Sequence, residues 1–398
     1  MTAQRGRTRV STMRKKIVIS IVTALLLIVA SVGSYVVFRS RFTHLPQPEK
    51  VQLTSTIVHQ SEEIPISTHR IYSMAAIQVA TALTPWGIAL DYKHGFVWVA
   101  EPGCTPNPKC PSIMQGNLSQ YAISDGKFIT DFNEPGGFSS PLFVVLDGAG
   151  NVWFTEPSTD SLGEYNQLDN SWHQWYLKQG SSPFDLTFDA NGNLWFTEFG
   201  TNDIGFLDPR TNRIVENPIP TPASDPYGIT VDPHGTVWFA ENAAGIGQIG
   251  SFTPTRTGII KVTEHSVSVQ RPHMITSDRD GNIWFSGGFG GDIGEFKPRS
   301  ANNIDFVVDQ GTCSSSATCP GTHISGIAVD SNDNVWFTDA NSQRVGYLLP
   351  ATGRVVVQTL QGSNAHPYDG LVVDSSDRVW FTEEFGLSLR MWPASRVK

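Results

Sequence analysis

The chain repeats one sequence motif, and its late copies carry histidines, an arginine and a tyrosine beside the first position. The motif has the form P-x-G-I-x-x-D-x-x-G-N-V-W-F-T-E. Beside its first position, three successive late copies carry Arg271, His273, His323, His366 and Tyr368. Histidine changes its charge near neutral pH, so it can accept a proton from a substrate. A lone surface histidine is usually only solvated, but three of them with an arginine over adjacent copies favour a ligand site.

Acidic residues occupy the last position of the same motif, three residues after its tryptophan. They are Glu101, Glu156, Glu198, Glu241, Asp339 and Glu383, with Glu384 one position further and Gly287 in the fifth copy. A carboxylate can orient a histidine, bind a cation or contact a substrate. The alternative is structural, because an acid at a strand end can accept backbone hydrogen bonds. Both alternatives stay open for each acid.

The early copies place mainly apolar side chains after the opening proline. These side chains are Trp86, Leu142, Phe184 and Tyr227. An apolar arc beside a cluster of titratable groups is typical of a small-molecule site. We therefore predict catalytic roles for four residues: His273, Glu384, His366 and Tyr368. We predict substrate contacts for eight more: Trp86, Phe184, Tyr227, Arg271, His323, Glu198, Glu241 and Asp339.

The repeat itself indicates the architecture that must position these residues. Its tryptophans are Trp98, Trp153, Trp195, Trp238, Trp284, Trp336 and Trp380, which makes seven copies at spacings of 42 to 55 residues. Each copy contains two apolar strands around a polar turn, then a third strand such as 248–252 and a fourth such as 213–220. Four strands at this period predict an all-β, seven-bladed β-propeller over residues 70–398.

The last copy has only three strands, so the ring needs one more strand to close. Residues 70–79 precede the first copy and can pair with the last one, which would leave no free sheet edge there. Because the first two strands of a blade are antiparallel, the start of one lies beside the end of the other. All the candidate residues are therefore expected around one mouth of the central channel.

The N-terminal residues predict a single transmembrane helix and hence an extracytoplasmic propeller. Residues 17–38 form an uncharged run that would span about 33 Å as a helix, and the basic segment 1–16 before it favours a cytoplasmic N-terminus. The alternative is a cleaved signal peptide, whose apolar part is usually shorter. Residues 39–69 then read as a linker between the membrane and the propeller.

The charge of the chain argues against nucleic acid as a partner. The formal net charge is −9, but residues 1–50 carry a balance of +8, so the remainder carries −17. Such a body repels phosphate backbones and favours cations. We expect a monomer that binds a small-molecule or peptide ligand.

Four cysteines form two local C-x5-C pairs, Cys104 with Cys110 and Cys313 with Cys319. Two short disulfide-closed loops in an oxidising compartment are the simplest interpretation. A shared zinc site is the alternative, although zinc-binding pairs usually have closer spacing.

The repeats resemble the virginiamycin B lyases, a family of seven-bladed propellers that inactivate streptogramins. The resemblance rests on PYGITVD (226–232) with VWFAE, on RPHMIT (271–276) with NIWFS, and on PFDLTFDANGNLWFTE (183–198) with NDIGFLDP, and it covers about residues 80–393. It implies a Mg²⁺-assisted elimination that opens a cyclic depsipeptide at its ester, with a histidine as base and a nearby glutamate.

Matched residue by residue, the resemblance assigns a family histidine to His273 and the essential glutamate to Glu384. In the last copy Tyr368 stands at the implied base position, with His366 two residues earlier. Two other functions stay open beside the lyase. One is a propeller that binds a peptide, a glycan or a cell-wall fragment without catalysis, and the other is a metal-dependent lactonase-type hydrolase.

Overall fold

Each copy of the repeat forms one four-stranded antiparallel sheet in the computed structural model, which describes residues 77–78 (backbone only), 84–104, 110, 115–308, 321–361 and 365–392. The first strand, β1 (Ile77–Gln78), belongs to the last blade. Blade 1 has β2 (Ile88–Asp91), β3 (Phe96–Glu101), β4 (Asn117–Ala122) and β5 (Phe128–Asn133). Blade 2 has β6 (Val144–Leu146), β7 (Val152–Glu156), β8 (Ser161–Asn166) and β9 (Ser171–Tyr176). Blade 3 has β10 (Pro183–Phe188), β11 (Leu194–Glu198), β12 (Asp203–Asp208) and β13 (Arg213–Pro218).

The remaining blades follow the same order. Blade 4 has β14 (Pro226–Val231), β15 (Val237–Glu241), β16 (Gln248–Phe252) and β17 (Thr263–Ser266). Blade 5 has β18 (Ile275–Ser277), β19 (Ile283–Ser286), β20 (Asp292–Lys297) and β21 (Asn302–Val307). Blade 6 has β22 (Ile324–Val329), β23 (Val335–Asp339), β24 (Arg344–Leu349) and β25 (Arg354–Thr359). Blade 7 has β26 (Pro367–Val373), β27 (Val379–Glu383) and β28 (Ser388–Trp392), with β1 outside β28.

The ring closes as the sequence predicts. Strand β1 pairs with β28 in antiparallel register, with Ile77 opposite Leu389 and Gln78 opposite Ser388. The N-terminal end of the propeller thereby completes the blade that the C-terminal end leaves one strand short. The seven-bladed, four-stranded architecture predicted from the repeat is confirmed.

The Trp-Phe pair is buried in blades 2 to 7, as is Trp98 with Val99 in blade 1, and in blades 2 to 7 the turn aspartate holds the tryptophan in place. In blade 3, Trp195 donates its indole N–H to Asp189 over 3.0 Å, while the same carboxylate accepts the backbone N–H groups of Asn191 and Asn193. Equivalent bonds hold the tryptophans of blades 2, 4, 5, 6 and 7. The D-x-x-G-N turn therefore stabilises the core as well as the hairpin.

The glycine of the third strand gives the phenylalanine its space. A Cβ on Gly205 would lie 2.0 Å from the ring of Phe196. Gly163, Gly250 and Gly294 face the corresponding rings of their own blades in the same way. The recurrent I-G pair of the repeat is thus a packing requirement.

One predicted disulfide lies within the described residues, and several other predictions concern residues outside them. Cys104 and Cys110 form the predicted disulfide, whereas Cys313 and Cys319 lie outside the described residues. The segments 1–16, 17–38 and 39–69 also lie outside them. Among the residues that the structure describes, no helix is long and apolar enough to cross a membrane.

Candidate functional site

The first strand of several blades contains a register shift where it reaches the mouth. The shift lies between Pro183 and Leu186 in blade 3 and between Pro367 and Leu371 in blade 7, and blades 4 and 6 have it as well. Such a bulge redirects a side chain away from the regular pleat. The residue after the opening position lies within it.

In five blades, a hydroxyl from the preceding blade fixes the residue that follows the first position of the repeat. Thr155, Thr197 and Thr338 of the W-F-T-E segments donate to the carbonyl oxygens of Phe184, Tyr227 and Tyr368, at 2.6 to 2.7 Å. Thr382 and Ser286 make the same bond to Trp86 and Ser325. The mouth residues are therefore held by the neighbouring blade, which makes the site rigid.

These positions enclose a cavity of about 190 Å³ at the mouth of the channel. Seven of its lining residues are among the predicted site residues: Trp86, Phe184, Tyr227, Arg271, His273, His323 and Tyr368. Four more were not predicted: Phe199, Asn242, Gly288 and Phe289. The walls are aromatic, and Arg271 is the one lysine or arginine among the lining residues that the structure describes.

Three predicted substrate contacts are placed elsewhere. Glu198, Glu241 and Asp339 are fully buried at their strand ends and are not among the described residues that line the cavity. Asp339 accepts the backbone N–H of His323 over 3.0 Å and pairs with Arg344 at 2.6 Å. Asp339 therefore has the structural role, as an acceptor of hydrogen bonds at the strand end. Successive side chains of a strand point to opposite faces, so Asp339 points away from the face on which the preceding threonine contacts the next blade.

His273 is held by hydrogen bonds at both ring nitrogens. Its Nε2 lies 2.9 Å from Oδ1 of Asp369, and its Nδ1 lies 3.1 Å from the side-chain amide nitrogen of Asn242. The amide can only donate, so Nδ1 accepts and Nε2 carries the proton given to Asp369. Both nitrogens are thus occupied within the protein.

Asp369 joins blade 7 to three other blades. Besides His273 it accepts the hydroxyl of Tyr227 over 3.1 Å and the hydroxyl of Ser325. Burial on its own would raise the pKa of Asp369, but the neighbouring His273 with its hydrogen bond and the hydroxyl of Ser325 outweigh the burial and lower the pKa below its ordinary value. Asp369 is an anionic centre that closes the floor of the cavity.

Sequence reasoning missed Asp369, although a signal was present. The copies of blades 3 and 7 alone have aspartate two residues after the proline, at Asp185 and Asp369. Asp185 accepts the backbone N–H groups of Ile229 and Leu186. Burial raises the pKa of Asp185 to about 7, and the charge of Asp369 adds to the effect.

His323 presents a neutral imidazole to the cavity. Its ring stacks on Phe289 at 4.1 Å and is almost fully buried. Burial, followed by the neighbouring His273, lowers the pKa of His323 to about 3. Its ring nitrogens make no hydrogen bond to any residue in the described ranges. They are available to a ligand as a donor and an acceptor.

His366 and Glu384 form a second histidine–carboxylate pair beside the cavity, although neither is among the described residues that line it. Nδ1 of His366 lies 3.0 Å from Oε2 of Glu384, although the two atoms are not aligned as a hydrogen bond. The imidazole lies parallel to the ring of Tyr368 at 5.5 Å and contacts Phe385 at 4.3 Å. Its Nε2 makes no hydrogen bond within the described part of the chain. We call this pair open, because one imidazole nitrogen is free for a ligand, and the His273–Asp369 pair closed, because both nitrogens are bonded within the protein.

Tyr368 separates the two pairs. Its ring faces His323 edge-on at 4.9 Å and lines the cavity. Burial, and then the charges of Asp369 and Glu384, raise the pKa of Tyr368 above its ordinary value. The hydroxyl therefore stays protonated and can donate to a bound ligand, but it cannot readily act as a base.

The mouth offers little to a metal ion. Glu384 has one buried carboxylate oxygen, Oε1, without a hydrogen-bond partner among the described residues. Asp339 and Glu383 are engaged by Arg344 and Arg390. Magnesium is often held by one or two carboxylates together with water and substrate. The residues present fit Mg²⁺ only in that way, through Glu384.

A model of the virginiamycin B lyase family matches residues 118–307, and the predicted resemblance to that family is confirmed. A streptogramin B lyase structure is 23% identical with a TM-score of 0.66, over 79% of this chain and 95% of the other. A catalytically inactive virginiamycin B lyase from Staphylococcus aureus with quinupristin is 24% identical with a TM-score of 0.65, over 79% and 96%. Comparison with curated proteins gives no match.

The same fold is also found in a protein of different function. Hydrazine synthase of Kuenenia stuttgartiensis is 11% identical with a TM-score of 0.62, over 80% of this chain and 97% of that one. At these identities the structural matches establish the propeller fold alone. The chemistry must be argued from the site.

Proposed function

We propose that the mouth of the propeller binds an ester-linked cyclic peptide and opens its ring by elimination, with His366 as the base. The observation that carries this proposal is the open His366–Glu384 pair, 3.0 Å apart, whose imidazole lies against Tyr368, a lining residue of the aromatic cavity. A histidine beside a carboxylate, with its second nitrogen free, has the composition of a general base, and the contact aligns when substrate binds. The resemblance to virginiamycin B lyases supports the substrate class.

The elimination needs no water. His366 takes the proton from the carbon next to a carbonyl, a carbon–carbon double bond forms, and the bond from the neighbouring carbon to the ester oxygen breaks. The electron pair leaves with the ester oxygen as a carboxylate, so the opened product has the mass of the substrate. Arg271, which lines the cavity, is placed to pair with that carboxylate.

The closed pair and the aromatic walls have supporting roles. His273 and Asp369 fix the floor, and Trp86, Phe184 and Tyr227 offer flat apolar surface to rings of the substrate. A magnesium ion held by Glu384 would polarise the ester carbonyl. His323 and the hydroxyl of Tyr368 can hydrogen-bond the substrate's amide or carbonyl groups.

The direct test is turnover of quinupristin by the full chain, followed by liquid chromatography. We expect His366→Ala and Glu384→Gln to lower kcat/KM by about 10² or more, the usual scale for a general base. His173→Ala is the matched control, because His173, on the outer strand of blade 2, also lies beside a glutamate, 3.2 Å from Glu164. Full activity in His366→Ala would overturn the assignment of the base.

A second candidate function is binding without catalysis. The observation that favours it is the engagement of both nitrogens of His273, the histidine that best matches the family motif. Saturable quinupristin binding with no ring-opened product would support a binding propeller and exclude the lyase for this substrate.

We also propose that the propeller is a monomer held outside the cytoplasm by a membrane anchor at residues 17–38. The uncharged run and the basic segment before it support this location. We expect the protein to sediment with membranes, and we expect protease added outside the cell to cleave the propeller. Recovery of a shortened chain lacking 17–38 would support a cleaved signal peptide instead.

A further inference from the structure

Each W-F-T-E acid is buried at the end of its strand, and the blades differ in what faces it. In blades 6 and 7 an arginine of the third strand pairs with the acid: Arg344 with Asp339 at 2.6 Å and Arg390 with Glu383 at 2.7 Å. In blade 2 the amide of Gln174, on the fourth strand, donates to Glu156 over 2.8 Å. A cation or a donor thus faces the acid in these three blades, and in blade 7 Oε1 of Glu383 still has no hydrogen-bond partner among the described residues.

Blade 3 places further acids there instead. Glu198 ends β11, Asp203 begins β12, and Glu216 lies on β13 at the position that Gln174 occupies in blade 2. One carboxylate oxygen from each of the three lies within 4.8 Å of the others. This is the one group of three or more such ligands found among the described residues.

One carboxylate oxygen in this group is left without a partner. Glu198 is fully buried, its Oε2 accepts the hydroxyl of Thr201 over 2.8 Å, and its Oε1 has no hydrogen-bond partner within the described residues. An unsatisfied buried carboxylate oxygen is costly, and the neighbouring acids add repulsion. The arginines of blades 6 and 7 show that the same fold places a positive charge beside this acid.

Lys178 is the nearby cation, but it does not fill that position. Its ammonium lies 3.4 Å from Asp203 and its side chain is 55% exposed, so the contact is long and screened by water. Its backbone N–H donates to Glu216 over 3.1 Å. Three carboxylates face one half-solvated ammonium, and the group keeps a deficit of positive charge.

We propose that Glu198, Asp203 and Glu216 form a calcium site in blade 3, separate from the mouth. Oxygen-only donors select a hard cation, and three carboxylates with Thr201 and water can supply the six to eight oxygens that Ca²⁺ takes. Magnesium demands a stricter octahedron and binds less readily to such an irregular group. The bound ion connects three neighbouring strands of the blade.

The test is calorimetric titration of the calcium-free full chain with CaCl₂ at pH 8. We expect one site that Glu216→Gln weakens at least about tenfold, because a ligand charge is lost. That variant has in blade 3 the residue found in blade 2, so it is expected to fold. Lys178→Gln removes the competing ammonium and should tighten binding. Glu264→Gln in blade 4, where Glu264 has the equivalent position, is the matched control and should change nothing.

The outcomes separate this site from the mouth. Binding that survives in His366→Ala but falls in Glu216→Gln supports the proposal. The absence of Ca²⁺ binding at millimolar concentrations, or the same affinity in Glu216→Gln, would overturn it. Tighter binding of Mg²⁺ than of Ca²⁺ would overturn the choice of ion.

Discussion

His273 and Asp369, 96 positions apart, lie 2.9 Å from each other across the channel and close its floor. The pair connects blade 5 with blade 7 and, through the hydroxyls of Tyr227 and Ser325, also blades 4 and 6. The arrangement uses both nitrogens of His273 and leaves His323 and His366 with ring nitrogens open to a substrate. Of these two histidines, His366 has a carboxylate beside it, Glu384. Stability and chemistry are therefore assigned to different histidines.

Asp369→Asn should destabilise the fold. The substitution removes the buried anion that accepts from His273, Tyr227 and Ser325, and losing one partner of such a network costs about 3 kcal/mol. Urea unfolding at pH 7 measures the loss, and Asp280→Asn in an exposed turn is the control. Equal unfolding midpoints for Asp369→Asn and the parent chain would contradict the role given to this carboxylate.

The buried strand-end acids should make stability fall as pH rises. Burial raises the pKa of Glu101 and Glu241 to about 8, above the ordinary value of the unfolded chain. The folded state then holds protons that the unfolded state releases, so this contribution is complete below about pH 4 and is lost by about pH 8.

Glu241→Gln is expected to flatten that pH dependence and to raise the free energy of unfolding at pH 8 by about 1 kcal/mol or more. Glu156→Gln is the matched contrast. Glu156 accepts from the backbone of Ser139 and from Gln174 and Ser161, so its replacement should destabilise. The measurement is urea unfolding at several pH values. Identical pH profiles for Glu241→Gln and the parent chain would refute the assignment.

Gly205→Ala should destabilise blade 3 by roughly 1–3 kcal/mol, the usual cost of overpacking. The added methyl would lie 2.0 Å from the ring of Phe196. Gly148→Ala is the control, because a Cβ at Gly148 meets nothing within 4 Å. Thermal unfolding of both variants measures the difference, and equal melting temperatures would mean that the ring moves aside without cost.

His323 should remain neutral across the physiological range. Burial lowers its pKa to about 3, so its ring signals in an NMR titration should not shift between pH 8 and about pH 5. Phe289→Ala opens the stacked face of the imidazole to water and should move the pKa upward. A transition of His323 near pH 6.5 in the parent chain would contradict the burial argument.

The ring and its closure could be predicted from the sequence because each rests on a periodic pattern. Seven tryptophans at similar spacing and a last copy that lacks one strand are visible without coordinates. The cavity walls at Trp86, Phe184 and Tyr227 followed from the position after the opening proline. Such features depend only on the position of a residue within its own repeat.

The rest of the site depends on contacts between blades, which no single repeat contains. Asp369 meets His273 across the channel, and Asn242 and Phe289 enter from segments that follow the W-F-T-E ends. Glu198 and Glu241 were expected to face the ligand, but the alternation of the strand turns them into their own blades. The repeat therefore predicts where a site can be, and only the assembled ring shows which side chains form it.

The most direct test of the central claim is mass spectrometry of the product formed from quinupristin by the full chain in H₂¹⁸O. We predict a ring-opened product with the mass of the substrate and no ¹⁸O, formed by the parent chain and lost in His366→Ala. A product that carries ¹⁸O, ring opening that persists in His366→Ala, or no ring opening by the parent chain would contradict elimination by the open histidine at the propeller mouth.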